Sequence, residues 1–137
     1  MAAYAIKAEV ADAGAASLSF DAQKTMYGGR RIAAGDRIFV FASENEGGAG
    51  LVAAGVVASA RAVPRTPGLA RQTPRVSIRV TQLVPARRRL GRAELRPFAH
   101  WSDGRPETEL NFKFYRQATN KIVGLSDLAA AFLERHL

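Results

Sequence analysis

The clearest alternation of apolar and polar positions is Arg75-Val76-Ser77-Ile78-Arg79-Val80-Thr81, with Val76, Ile78 and Val80 on one face. A period of two predicts a half-exposed antiparallel strand; Arg75, Ser77, Arg79 and Thr81 give it a basic outer face. Tyr4 to Val10 predicts a first strand, with Tyr4, Ile6 and Ala8 inward and Lys7 and Glu9 outward. After the turn Ala34-Gly35-Asp36, the run Arg37-Ile38-Phe39-Val40-Phe41 combines high β-propensity with low polarity and predicts a central strand. Leu51 to Val57 predicts another, in which Gly55 marks a bulge or a close backbone approach. Lys121-Ile122-Val123 is a short strand closed by Gly124.

Between these runs lie turn and loop signals. The glycines of Ser43 to Gly50 precede a strand and not a helix, so they predict a hairpin loop and not a phosphate cradle. The Ala- and Ser-rich stretch from Ala11 to Met26 allows a short helix around Ser19 to Thr25. Pro64 to Pro74 is a loop, and Ala86-Arg87-Arg88-Arg89-Leu90 a basic one, followed by a one-turn helix from Gly91 to Leu95. Phe98 to Asn111 shows no period, and Phe112-Lys113-Phe114-Tyr115 reads as an aromatic strand or a helical turn.

A C-terminal helix has the strongest signals. Ser126 is placed to cap it, Asp127 complements its dipole, and Leu125, Leu128, Ala129, Phe132 and Leu133 form an apolar stripe. The pattern as a whole predicts an α+β, mainly β fold. It would be a small barrel of roughly five to seven mostly antiparallel strands, with one or two flanking helices and the C-terminal helix. Residues 1–137 are expected to form one domain.

Composition sharpens this picture in one respect. Twenty basic residues face 12 acidic ones, a net charge of +8, and 16 of the basic residues are Arg. Such a surface concentrates polyanions, and counterion release favours the complex, so a nucleic acid is the expected partner. The chain has no cysteine, which excludes disulfides, thiolate metal sites and cysteine nucleophiles and fits a reducing, cytoplasmic setting. Its first residues lack the basic start and apolar core of a secretory signal, and its longest apolar run is too short to span a bilayer. Its two histidines, His100 and His136, have no metal-ligand spacing, so neither a metal nor another cofactor is expected. His100 with Asp103 could orient a base but has no nucleophile beside it, so the chain is not expected to be an enzyme.

The order of segments resembles the EVE domain family of the PUA-like superfamily. Tyr4-Ala5-Ile6-Lys7-Ala8-Glu9 is similar to its opening strand, and Gly35-Asp36-Arg37-Ile38-Phe39-Val40-Phe41-Ala42-Ser43 to its second. Gly50 to Val57 resembles the strand that follows, and Arg116-Gln117 with Lys121 to Ser126 resembles the closing segment before the last helix. Two features depart from the family pattern: Val10 stands where it has Pro, and its Trp-Asp-Gly-Val-Arg-Asn stretch, part of the pocket wall, is replaced by Tyr27-Gly28-Gly29-Arg30-Arg31. The resemblance implies a PUA-like pseudo-barrel with a concave pocket for nucleic acid, RNA or DNA, and for a flipped or modified base such as 5-methylcytosine.

A base pocket needs an aromatic slot for the ring and hydrogen-bonding groups for its edge. The expected pocket residues are Tyr27, Phe41, Ser43, Trp101, Tyr115 and Arg116, Ser43 being the match to the family's strand-end Ser. The expected phosphate contacts are Lys7, Arg30, Arg31, Arg79, Arg87, Arg88 and Arg89, since Arg offers a planar fork for bidentate contact. Two other readings stay open. One is an ASCH-like PUA-fold protein acting on a nucleoside derivative, with Lys7 and Glu9 placed for proton transfer. The other is a protein-interaction module.

Overall fold

The computed structural model describes residues 2–116 and 120–137. Six strands, β1 (Ala3–Ala8), β2 (Leu18–Met26), β3 (Arg37–Ala42), β4 (Gly50–Ala62), β5 (Arg75–Pro85) and β6 (Ile122–Gly124), close into a barrel. Their order around it is β1-β3-β4-β5-β2-β6. β1 runs parallel to β3 and β2 parallel to β6, while the other four pairings are antiparallel, so the barrel is mixed. Three helices, α1 (Arg92–Leu95), α2 (Pro106–Phe114) and α3 (Asp127–Glu134), complete the fold. Among the described residues no helix is long and apolar enough to cross a membrane.

Alternation along the strands separates two cores. Val76, Ile78 and Val80 of β5 point into the barrel with Tyr4, Ile6 and Ile38, as the period of two predicts. On the outer face of β1 and β3, Ala5, Phe39 and Phe41 pack against Leu95, Leu110, Phe114 and Leu133 from the helices. β1 and β3 are therefore buried on both faces, which explains their near-continuous apolar runs. The same covering overturns one expectation: Lys7, placed outward on the surface, is only 2% exposed.

Three further expectations change. No helix forms around Ser19 to Thr25; those residues belong to β2, with Phe20 in the barrel and Ala22, at φ 48°, making a bulge whose N–H donates to Ser77 Oγ. Only the β5 edge supplies that partner, so propensity along β2 could not decide it. The unpatterned stretch up to Asn111 and the aromatic run after it contain α2, whose start carries Pro106 with Glu107 and Glu109 in the first turn. In α3, Ser126 caps as expected by accepting from the Ala129 N–H, but Leu128 is exposed because the helix seats on Ala129 and Leu133. Gly55 does sit at a register shift between β4 and β5, and a Cβ there would meet the Thr81 carbonyl oxygen at 2.6 Å.

Candidate nucleic-acid interface

A cleft of about 430 Å³ opens between α1, the end of α2 and the turn that follows β3. It is lined by Glu44, Arg89, Arg92, Ala93, Arg96, Asn111, Tyr115 and Arg116. Arg92 and Arg96 share one face because they are four residues apart across a single helical turn, and Arg96 is the residue that closes α1. Arg89 reaches the cleft from the basic loop, where it lies 3.5 Å from Glu94.

One carboxylate organises this wall. Glu44 Oε2 accepts from the Arg92 backbone N–H at 2.7 Å, and its Oε1 accepts from the Tyr115 hydroxyl at 3.0 Å. Glycine at position 91 lets the carboxylate come close, since a Cβ there would meet Glu44 Oε2 at 2.7 Å and displace it. Asn111 is held from behind, its Nδ2 donating to the Phe98 carbonyl oxygen at 3.0 Å.

Two cations flank the Tyr115 ring, Lys7 Nζ at 4.8 Å from its centre and the Arg92 guanidinium at 5.6 Å. Lys7 also donates to the Phe114 carbonyl oxygen, so it anchors the end of α2 from below. Burial, with the Arg92 and Lys121 charges, holds the Lys7 ammonium below the usual lysine range against the pull of Glu44. Burial and the Glu44 carboxylate push the Tyr115 phenol far above its ordinary value.

These opposite shifts predict a definite pH profile. Below its lowered value Lys7 is charged in both states; above it the folded chain gives up the proton first, so stability rises with pH until free lysine titrates near about 10.4. Above about 10 the unfolded chain loses its tyrosine protons while folded Tyr115 keeps its own, so stability falls. Chemical denaturation across this range should show the rise reduced in Lys7→Met and the fall reduced in Tyr115→Phe. Profiles unchanged from wild type would place neither group where it is described.

The expected site residues separate. Tyr115, Arg116 and Arg89 line the cleft. Phe41 does not: it is fully buried, 5.0 Å from the Phe114 ring between centroids, and serves the core. Ser43 is also buried, at the strand end directly before the cleft residue Glu44, and so offers no open surface to a base. Lys7 offers no surface contact for phosphate either, because α2 and Tyr115 cover it. It also shares no proton-transfer site with Glu9, which is exposed beyond the end of β1.

Tyr27 is exposed on the turn after β2, its ring 4.9 Å from Lys113 Nζ, and is not part of the cleft wall. Trp101 is 80% exposed and likewise stands apart. The loop that carries it is held instead by Asp103, which accepts from the Arg105 N–H and the Thr108 hydroxyl, not from His100. Arg30 and Arg31 sit in the 3-10 turn Gly29–Arg31. Arg79 lies exposed on β5, and Arg87 and Arg88 lie in a loop whose N–H groups bond to the His136 carbonyl. Gln117 lies outside the described residues.

Sequence reasoning missed Arg92, Arg96, Asn111 and Glu44. The spacing of Arg92 and Arg96 in a helical turn was the available signal. Glu44 had none, because its partners come from positions 48 and 71 residues away in sequence.

No family model matches the chain, and no curated protein matches its sequence. Solved structures do share its fold. The human THYN1 protein in complex with 5-methylcytosine containing DNA superposes with a TM-score of 0.66 at 16% identity, over 99% of this chain and 98% of that one. The DUF55 domain of human thymocyte nuclear protein 1 gives 0.63 at 15% identity, over 97% of each chain. A protein from Pseudomonas putida gives 0.61 at 14% identity, over 99% of this chain and 100% of that one. The chain thus shares the fold of the DUF55 domain of human thymocyte nuclear protein 1.

Proposed function

We propose, from this fold and the cleft it carries, that the protein is a noncatalytic nucleic-acid-binding module. The observation that supports it is that four arginines, Arg89, Arg92, Arg96 and Arg116, line one cavity with Tyr115. The one carboxylate in that wall, Glu44, is already engaged by Arg92 and Tyr115. A cleft of this composition takes a phosphate on its arginines and a base beside its aromatic ring.

The finer reading is a flipped or modified base such as 5-methylcytosine, which the DNA in complex with the human THYN1 protein of the same fold contains. A cytosine edge presents an amino donor, and an ionised carboxylate has about four acceptor positions, of which Glu44 uses two. Ala93 and the Tyr115 ring supply the apolar wall that a methyl group requires.

The test is a titration of labelled single- and double-stranded DNA and RNA, with and without 5-methylcytosine, at two salt concentrations. Binding that weakens with salt and favours the modified strand is expected. Salt-independent binding, or none, overturns the reading, and salt-dependent binding without preference removes its finer part.

A further inference from the structure

The net charge is concentrated in one part of the chain. Between Gly47 and Ala93 there are nine arginines and no acidic residue, while the rest of the chain holds 11 basic residues against 12 acidic ones. That segment is the long β4–β5 hairpin with the loop leading to the cleft. β4 and β5 pair out to Ala62 and Val76, and beyond that point residues 63–74 are almost wholly exposed.

The register places the charges on one face. Arg61 pairs with Ser77, so Arg75 and Arg79 are its two diagonal neighbours, roughly 7–8 Å away on the outward side of the sheet. Arg65 and Arg71 add to them at the tip. Among the described residues none of these five arginines is ion-paired; Arg75 donates to the Ala22 carbonyl oxygen and Arg65 to that of Ala70. Like charges set close on a sheet repel, and a polyanion laid across them relieves the repulsion.

The tip is ordered. Gln72 closes it, accepting from the Thr66 N–H at 2.7 Å and donating to the carbonyls of Thr66 and Leu69. From Arg75 to Pro85 β5 rises about 3.3 Å per residue, so about 33 Å separates the arginines of the hairpin end, Arg75 and Arg79 among them, from Arg87 to Arg89 on the loop that leads to the cleft. At about 3.4 Å per nucleotide along a duplex strand, that is the length of about ten phosphates. Charge spread along a strand fits a linear polyanion. A membrane surface would instead require cations gathered round an apolar tip, and this tip carries Leu69 as its principal exposed apolar residue.

We infer that the outer face of the β4–β5 hairpin, with Arg61, Arg71 and Arg79, is a second nucleic-acid contact that grips the phosphodiester backbone outside the cleft. It extends the cleft reading above, since one strand would run from the cleft along the hairpin, and it is independent of base identity. The triple variant Arg61→Gln/Arg71→Gln/Arg79→Gln leaves Arg75 and the cleft intact.

For duplexes of about ten base pairs or more, the slope of log affinity against log salt should become shallower by about 2.7 in this variant, at about 0.9 per lost contact. Binding of a di- or trinucleotide should be unchanged. An unaltered slope on long duplexes overturns the inference. So does a loss confined to anionic phospholipid vesicles, which would assign the hairpin to a membrane. The cleft reading fails separately: if wild type ignores the short oligonucleotide while the triple variant still loses the long one, the hairpin stands without the cleft.

Discussion

Truncating Phe114 to Ala is expected to lower the unfolding free energy by about 3–5 kcal/mol, among the largest effects available to a single substitution here. Phe114 is fully buried and stacks on Phe41 with the ring planes tilted by 44°. It belongs to the core between the outer faces of β1 and β3 and the helices, so its loss leaves a cavity that a barrel wall on one side cannot collapse into. Its own carbonyl also receives the Lys7 ammonium. Movement at the end of α2 would therefore disturb Tyr115, the next residue, and with it the cleft wall. Urea unfolding with an unchanged slope would measure the loss, and Phe114→Leu should lose less because part of the volume remains. A loss below about 1 kcal/mol would mean that this packing does not hold α2.

The largest effect on binding is expected from Arg92→Ala combined with Arg96→Ala. Each arginine presents a charged fork to a phosphate, and losing such a contact costs roughly 1.5–3 kcal/mol, about tenfold or more in affinity. The salt slope on duplex DNA should become shallower by about 1.8 for the pair. The fold should survive, because Glu44 contacts the backbone N–H of residue 92 and not its side chain. Anisotropy titrations of the double variant beside Arg30→Ala/Arg31→Ala give the comparison that matters. The latter pair sits in the 3-10 turn Gly29–Arg31, away from the cleft wall, and should change affinity and slope much less. Equal effects from both pairs would mean that binding follows total charge and not the cleft.

Much of the barrel was legible from local pattern. Val76, Ile78 and Val80 on β5, the run from Arg37 to Phe41, the β4 strand around Gly55 and the Ser126 cap all follow from periods and caps. β2 and α2 did not. The first is a bulged strand whose hydrogen-bond partners lie on β5, and the second is an amphipathically weak helix whose start signals follow a loop held by Asp103.

The candidate site was legible only in part. Tyr115 and Arg116, expected in a base pocket, and Arg89, expected as a phosphate contact, all line the cleft. Lys7 was expected as a contact because alternation gives a strand one open face, and Phe41 and Ser43 because they end the strand that resembles the family's, but helices cover the second face of β1 and β3 and all three are buried. The sequence by itself determined the barrel class, the basic character and the strand faces, because these depend on residues a few positions apart. Tertiary structure alone decided that Lys7 lies beneath Tyr115 and that Glu44 joins α1 to the end of α2. It also decided that Arg61 stands beside Arg79, since each of these meetings joins residues far apart in the chain and is set by how the layers pack.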